Sequence, residues 1–180
     1  MTAPWKFPPY PLIYEINTWP WLAELSRRQQ RAVDLAAVPA SDWDAIGDAG
    51  YDAVWLMGVW ERSPAGVALA LGNESLMASF RAALPDLRTD DVVGSPYCVR
   101  DYVVDDHLGG PAGLEAARTE LARRGMGLIL DFVPNHVAPD HPWTSEHPER
   151  FVRGSRDDLA ADRRSGENAL SCTTSGQAGK

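Results

Sequence analysis

Three stretches of unbroken apolar character punctuate an otherwise mixed chain. Leu12-Ile13-Tyr14-Glu15-Ile16, bounded by Pro11 and Asn17, reads as a short buried strand. Residues 53–60, Ala-Val-Trp-Leu-Met-Gly-Val-Trp, show no alternation at all. A strand covered on both faces has that pattern, and such strands belong to parallel sheets. Residues 127–133, Gly-Leu-Ile-Leu-Asp-Phe-Val, are a third run of the same kind. Helical spacing lies between these runs. Thr18-Trp19-Pro20 opens a helix through Leu22 and Leu25 to Arg31, with proline suited to a first turn. Ser41-Asp42-Trp43-Asp44 resembles a capping box, with Trp43 and Ile46 on one face and Gly50 as the stop. Residues 113–124 put Leu114, Ala117 and Leu121 on one face, pair Glu120 with Arg124 and end at Gly125. Strand, excursion, helix and strand make a right-handed βαβ unit, so the class is α/β with a parallel sheet.

The stretches outside this pattern differ in kind. Residues 1–11 are rich in proline and aromatics without a period. Residues 61–97 are longer than an ordinary βα connection and hold a helix over 74–84, followed by Pro85 and a polar segment to Gly94. From Asp162 to Lys180 the apolar residues are only Ala169, Leu170, Cys172 and Ala178, so a disordered tail is expected there. The domain expectation is therefore one unit over residues 1–161 and an unpacked tail over 162–180.

Composition narrows the function classes. With 180 residues, 44% hydrophobic and 23% charged, the chain can build a core. A net charge of −8 gives nothing for a phosphate backbone to gain, which argues against nucleic acid as a partner. No apolar run reaches the ~20 residues of a membrane span, and the N-terminus lacks the apolar core of a signal peptide. Cys98 and Cys172 form no framework, so two free thiols in a reducing cytoplasm are expected. Seven tryptophans are many for this length; most serve packing, but tryptophan also lines sugar-binding clefts. Nothing in the sequence sets an oligomeric state.

The chemistry sits at strand ends, where parallel α/β proteins gather functional groups. Asp131-Phe132-Val133-Pro134-Asn135-His136 places a carboxylate within an apolar run and an Asn-His pair just beyond it. A carboxylate so placed is costly to bury without partners. The residues alone leave two readings open for Asp131 and for His136: a functional group, or a structural one satisfied by a neighbouring loop.

This six-residue segment resembles the D-x-V-x-N-H motif of the α-amylase family, glycoside hydrolase family 13. Gly50-Tyr51-Asp52-Ala53-Val54-Trp55-Leu56 is similar to the family's second strand, and Tyr14-Glu15-Ile16 fits its first. Ser95-Pro96-Tyr97, then Asp101-Tyr102-Val103-Val104-Asp105 and Gly109-Gly110, resemble the segment before the helix leading to the third strand. The four segments stand in the family's order over about residues 10–155. The resemblance implies a partial (β/α)₈ TIM barrel, about the first three strands with their helices, acting on α-linked glucans by a retaining mechanism. That mechanism needs two carboxyl groups roughly 5 Å apart. In the family these follow later strands, and residues 137–180 contain no G-x-R-x-D segment. Arg153-Gly154-Ser155-Arg156-Asp157 has similar letters, but no apolar strand precedes it, so Asp157 is read as a surface loop residue. No catalytic residue is assigned, and the chain is expected to be inactive alone.

By the same resemblance, His136 would hydrogen-bond a glucose ring at the cleavage subsite and Tyr97 would stack on it. Asn135 would be a calcium ligand in a family where calcium is common but not required, and Asp131 would be a structural aspartate that orients an arginine on the fourth strand. The expected partner is an α-glucan or maltooligosaccharide. Two other classes compete: a non-catalytic carbohydrate-binding or remnant barrel domain, and a metal module built from His136, Asp140, His141 and His147 in an irregular, proline-broken loop.

Overall fold

A computed structural model describes residues 6–151. The tail expected from residue 162 and the loop with Asp157 lie outside the described residues. The described residues divide into two compact units, residues 6–60 with 103–132 and residues 61–102 with 133–151.

The first unit is the expected βαβ arrangement. Strands β1 (Ile13–Asn17), β2 (Ala53–Met57) and β5 (Gly127–Leu130) form a parallel sheet in the order β1-β2-β5. Ile16 faces Leu56 across one pairing, and Leu56 faces Leu130 across the other. β2 is central, and Ala53, Val54 and Leu56 are wholly buried. Helices α1 (Thr18–Gln29), α2 (Ala40–Asp48) and α5 (Gly110–Arg123) supply the cover. Leu22 and Leu25 of α1, Trp43 and Ile46 of α2, and Ala117 and Leu121 of α5 join Val54 and Leu56 in one apolar cluster. Trp21 meets Trp43 edge-on at 5.2 Å, a favoured aromatic geometry. Arg124, at the end of α5, ties that helix to α2, reaching Glu120 at 2.7 Å and Asp44 at 2.6 Å.

Four expectations are corrected here. β1 is not a buried strand: Leu12, Ile13 and Tyr14 are exposed and only Ile16 is buried, because β1 pairs on one side only within this sheet. β5 ends at Leu130 and is half-buried for the same reason. The run over residues 53–60 is two strands, since Gly58 takes φ 76° between β2 and β3 (Trp60–Arg62). The capping box at Ser41 is also absent. α2 starts two residues earlier, with Pro39 at its N-cap and no side-chain cap, and Asp42 instead meets Arg28 at 2.5 Å.

The second unit carries the long excursion. β3 pairs with β4 (Val99–Val104) in a two-stranded sheet. Between them run α3 (Pro64–Gly72) and α4 (Glu74–Ala83). α4 fits the helix expected over 74–84, and Asn73 caps it by accepting from Leu76 N at 2.9 Å. α3 is legible only in hindsight: its residues are apolar all round, so no helical stripe marks it, although Ser63 caps it and Pro64 opens it. The short helix α6 (Trp143–Glu146) follows the Asn-His segment.

One close approach makes a test. A Cβ built on Gly113 would stand 2.9 Å from the Leu108 carbonyl oxygen and 3.4 Å from Leu35 Cβ. Gly→Ala inside a helix ordinarily stabilises by about 1 kcal/mol. Here overpacking against backbone should outweigh that and make Gly113→Ala destabilising by roughly 1–3 kcal/mol. A urea midpoint at or above that of the unmodified chain would refute the packing described.

Candidate functional site

Asp131, in the first unit, follows β5 directly and is only 7% exposed. Its carboxylate is fully engaged by the chain around it. Trp55 Nε1 donates to Oδ1 at 2.8 Å, and the Gly58 amide donates to Oδ2 at 2.5 Å. Trp60 Nε1 donates to the Asp131 carbonyl at 2.9 Å. The left-handed turn at Gly58 lies between the two tryptophan-bearing strands, and its amide completes the set. Hydrogen bonds from fixed donors offset the cost of burying the charge. The partners lie on β2, in the turn that follows it and at the start of β3.

Tyr97, Asn135 and His136 belong to the second unit, and the structure brings them together. Ser95-Pro96-Tyr97-Cys98 is a turn closed by Cys98 N donating to Ser95 O at 3.1 Å, with Ser95 Oγ accepting from Tyr97 N at 3.2 Å. Serine at the first position and proline at the second suit such a turn. The turn leaves the Tyr97 side chain exposed and offers its carbonyl to His136 Nε2 at 3.0 Å. Asn135 Nδ2 lies 2.8 Å from His136 Nδ1. A carbonyl accepts and an amide nitrogen donates, so together they select the tautomer with the proton on Nε2. Both ring nitrogens of His136 thus have partners within the chain.

The metal reading is corrected by the way its residues are used. Asp140 accepts from Ser63 Oγ at 2.6 Å and from Ala65 N at 3.2 Å. His141 Nδ1 accepts from Trp143 N at 3.1 Å, and His147 pairs with Glu149. Among the described residues no group of three or more His, Cys, Asp or Glu could hold a metal ion. Calcium takes about six to eight oxygens, and the Asn135 side chain has one oxygen to give. Burial pushes the Cys98 thiol up; its hydrogen bond to Ser63 acts the other way.

Sequence reasoning missed two groups here. Ser63 is buried and serves at once as cap of α3 and donor to Asp140. Tyr102 of β4 holds Val133 through its hydroxyl, accepting from the amide at 2.8 Å and donating to the carbonyl at 3.2 Å. β4 itself was the available signal, since Val-Arg-Asp-Tyr-Val-Val is rich in β-branched and aromatic residues.

Two outcomes are expected. Asp131→Asn replaces one acceptor oxygen by a donor facing Trp55 or Gly58, so stability should fall by about 1–3 kcal/mol. The Trp55 indole and Gly58 amide protons should shift together in an NMR spectrum; unchanged resonances would contradict the geometry. His141 concerns pH. Burial lowers its pKa below the ordinary histidine value, with Asp101 and Asp140 opposing, Arg100 adding to the lowering and Glu146 opposing. Between the two pKa values the unfolded chain binds more protons, so this contribution is full above about pH 6.5 and is lost as pH falls through the folded-state pKa. His141→Asn keeps an acceptor for Trp143 N but cannot titrate. The urea midpoint of the variant should therefore drop less than that of the unmodified chain between pH 7 and 5, and parallel curves would exclude the effect.

Comparison with known proteins places this arrangement. The sequence profile of the α-amylase catalytic domain matches residues 38–167. The chain is 32% identical over 107 residues to α-1,4-glucan:maltose-1-phosphate maltosyltransferase 2 of Streptomyces coelicolor, covering 59% of this chain and 15% of that protein. It is 29% identical over 104 residues to the amino acid transporter heavy chain SLC3A1 of Mus musculus, covering 57% of this chain and 13% of that protein. The chain therefore spans only about a seventh of the length of these relatives. In fold it is similar to an α-amylase from Lactobacillus plantarum, with a TM-score of 0.58 at 23% identity over 91% of this chain and 31% of that one. The three-stranded parallel sheet with its helices is part of the (β/α)₈ barrel of such enzymes. No helix among the described residues is long and apolar enough to cross a membrane. The chain belongs to the α-amylase catalytic-domain family.

Proposed function

We propose that this chain supplies part of the sugar-binding wall of an α-amylase-type protein acting on α-linked glucans, and that it performs no hydrolysis by itself. The observation that supports this most is the meeting of His136 with the Tyr97 turn, 3.0 Å from ring nitrogen to carbonyl. These are the two residues whose resemblance to the family points to a glucose ring. An exposed tyrosine ring offers a stacking face, and an imidazole Nε2–H offers a donor for a sugar hydroxyl. The donor already faces the Tyr97 carbonyl, so a hydroxyl gains it only by sharing or replacing that contact. Asp131 is a structural residue in this reading, not a nucleophile, because its two oxygens are held by Trp55 and Gly58. The retaining reaction, hydrolytic or transferring, would need two carboxyl groups beyond those assigned here. Calcium at Asn135 belongs to the proposal only if further oxygens complete its shell. A cytoplasmic setting fits the free thiol of Cys98.

A second reading is a non-catalytic domain of the same fold, favoured by the relative named as a transporter heavy chain. Both readings share the fold and differ in sugar binding and chemistry. The 180-residue chain should release no reducing sugar from maltoheptaose above background. It should bind maltoheptaose weakly in a calorimetric or NMR titration, and Tyr97→Ala should weaken that binding at least about tenfold, or 1.4 kcal/mol. Binding that is absent, or indifferent to Tyr97, would leave the non-catalytic reading. Measurable hydrolysis would overturn the assignment of no catalytic residue.

A further inference from the structure

The segment carrying Asn135 and His136 forms no helix or strand from Val133 to Ala138 beyond an isolated bridge at His136, and it is held at both ends by one strand. At its start, the Tyr102 hydroxyl satisfies both peptide groups of Val133, amide and carbonyl. At its end, Ala138 N donates to Val99 O at 3.1 Å. Val99 and Tyr102 both lie on β4, and the turn that carries Tyr97 runs directly into the start of that strand. One strand thereby fixes both the loop with His136 and the turn whose carbonyl His136 meets. We infer that Tyr102 is a positioning residue for the glucan site, holding the Pro134-Asn135-His136 loop so that the imidazole meets Tyr97. The inference rests on the glucan reading above and adds a residue that reading does not contain.

Physical reasons single out Tyr102. Ordering a loop residue costs about 1–2 kcal/mol, so an irregular segment keeps one conformation only where anchors offset that cost. Pro134 has no amide to donate, so the loop has fewer ladder-like contacts of its own to use. The Val99 anchor is backbone and is present whatever the side chains. The Tyr102 anchor is a side chain, and its hydroxyl can donate and accept at a single atom. Phenylalanine in its place keeps the ring and removes both contacts to Val133.

The test uses the full chain without glucan first. In the unmodified protein, NMR of the imidazole nitrogens should show His136 with the proton on Nε2, and the Val133 amide should exchange slowly with solvent. Tyr102→Phe should leave the sheet amides of β2 protected while the His136 signals move to those of a ring exchanging between tautomers. Affinity for maltoheptaose should then fall by about tenfold, with the thermal midpoint little changed. A His136 ring spectrum unaltered in Tyr102→Phe overturns the inference, as does rapid exchange of the Val133 amide in the unmodified chain, a measurement that does not depend on the variant folding. A fall in affinity with an unaltered ring spectrum also overturns it, since Tyr102 would then touch the sugar itself. An unmodified chain that binds no maltoheptaose refutes the glucan reading separately, because the ring spectrum is recorded without sugar.

Discussion

Everything in the first unit follows from one constraint: β2 has no charged side chain with which to face water, and its one polar side-chain group, the Trp55 indole N–H, is spent on Asp131. Ala53, Val54 and Leu56 have no exposed surface, and the strand has a hydrogen-bonded neighbour on each side. Such a strand is stable only where both faces are covered and both edges are paired. β1 and β5 satisfy the edges, and α1, α2 and α5 bring Leu25, Trp43 and Leu121 to the cover. The same requirement explains how β2 ends. Gly58 turns the chain at positive φ and delivers its amide to Asp131, so the buried carboxylate and the strand's exit satisfy each other.

The second unit is organised on a different principle. Among the described residues, side-chain hydrogen bonds and ion pairs tie its loops together. Ser63 caps a helix and holds Asp140. Ser95 shapes the Tyr97 turn, and Tyr102 holds Val133. Arg62 donates to the Gly94 carbonyl at 2.5 Å, and Arg100 pairs with Glu61 beside it. Loops built this way can place functional groups that no regular element would bring together. His136 illustrates the result: its ring is oriented by Asn135 on one nitrogen and by a turn 39 residues away on the other.

The sequence by itself determined the class, the parallel βαβ order and the three strands of the parallel sheet, because unbroken apolar runs and helical stripes are local signals. Leu114, Ala117 and Leu121 announce α5, and Glu120 meets Arg124 as their spacing requires. It also determined the family, since the D-x-V-x-N-H segment and its companions are readable as letters. Tertiary structure alone decided how much of each run is covered. Leu12, Ile13 and Tyr14 carry the same apolar signal as Val54, yet they are exposed because β1 has one neighbour and β2 has two. It decided that Asp131 is satisfied by Trp55 and Gly58, partners more than 70 residues away in sequence. It also placed His136 against the Tyr97 carbonyl and drew Tyr102 to Val133. The physical reason is the same in each case: a hydrophobic pattern reports what a residue prefers, whereas hydrogen-bond partners and strand neighbours depend on which distant backbone arrives beside it.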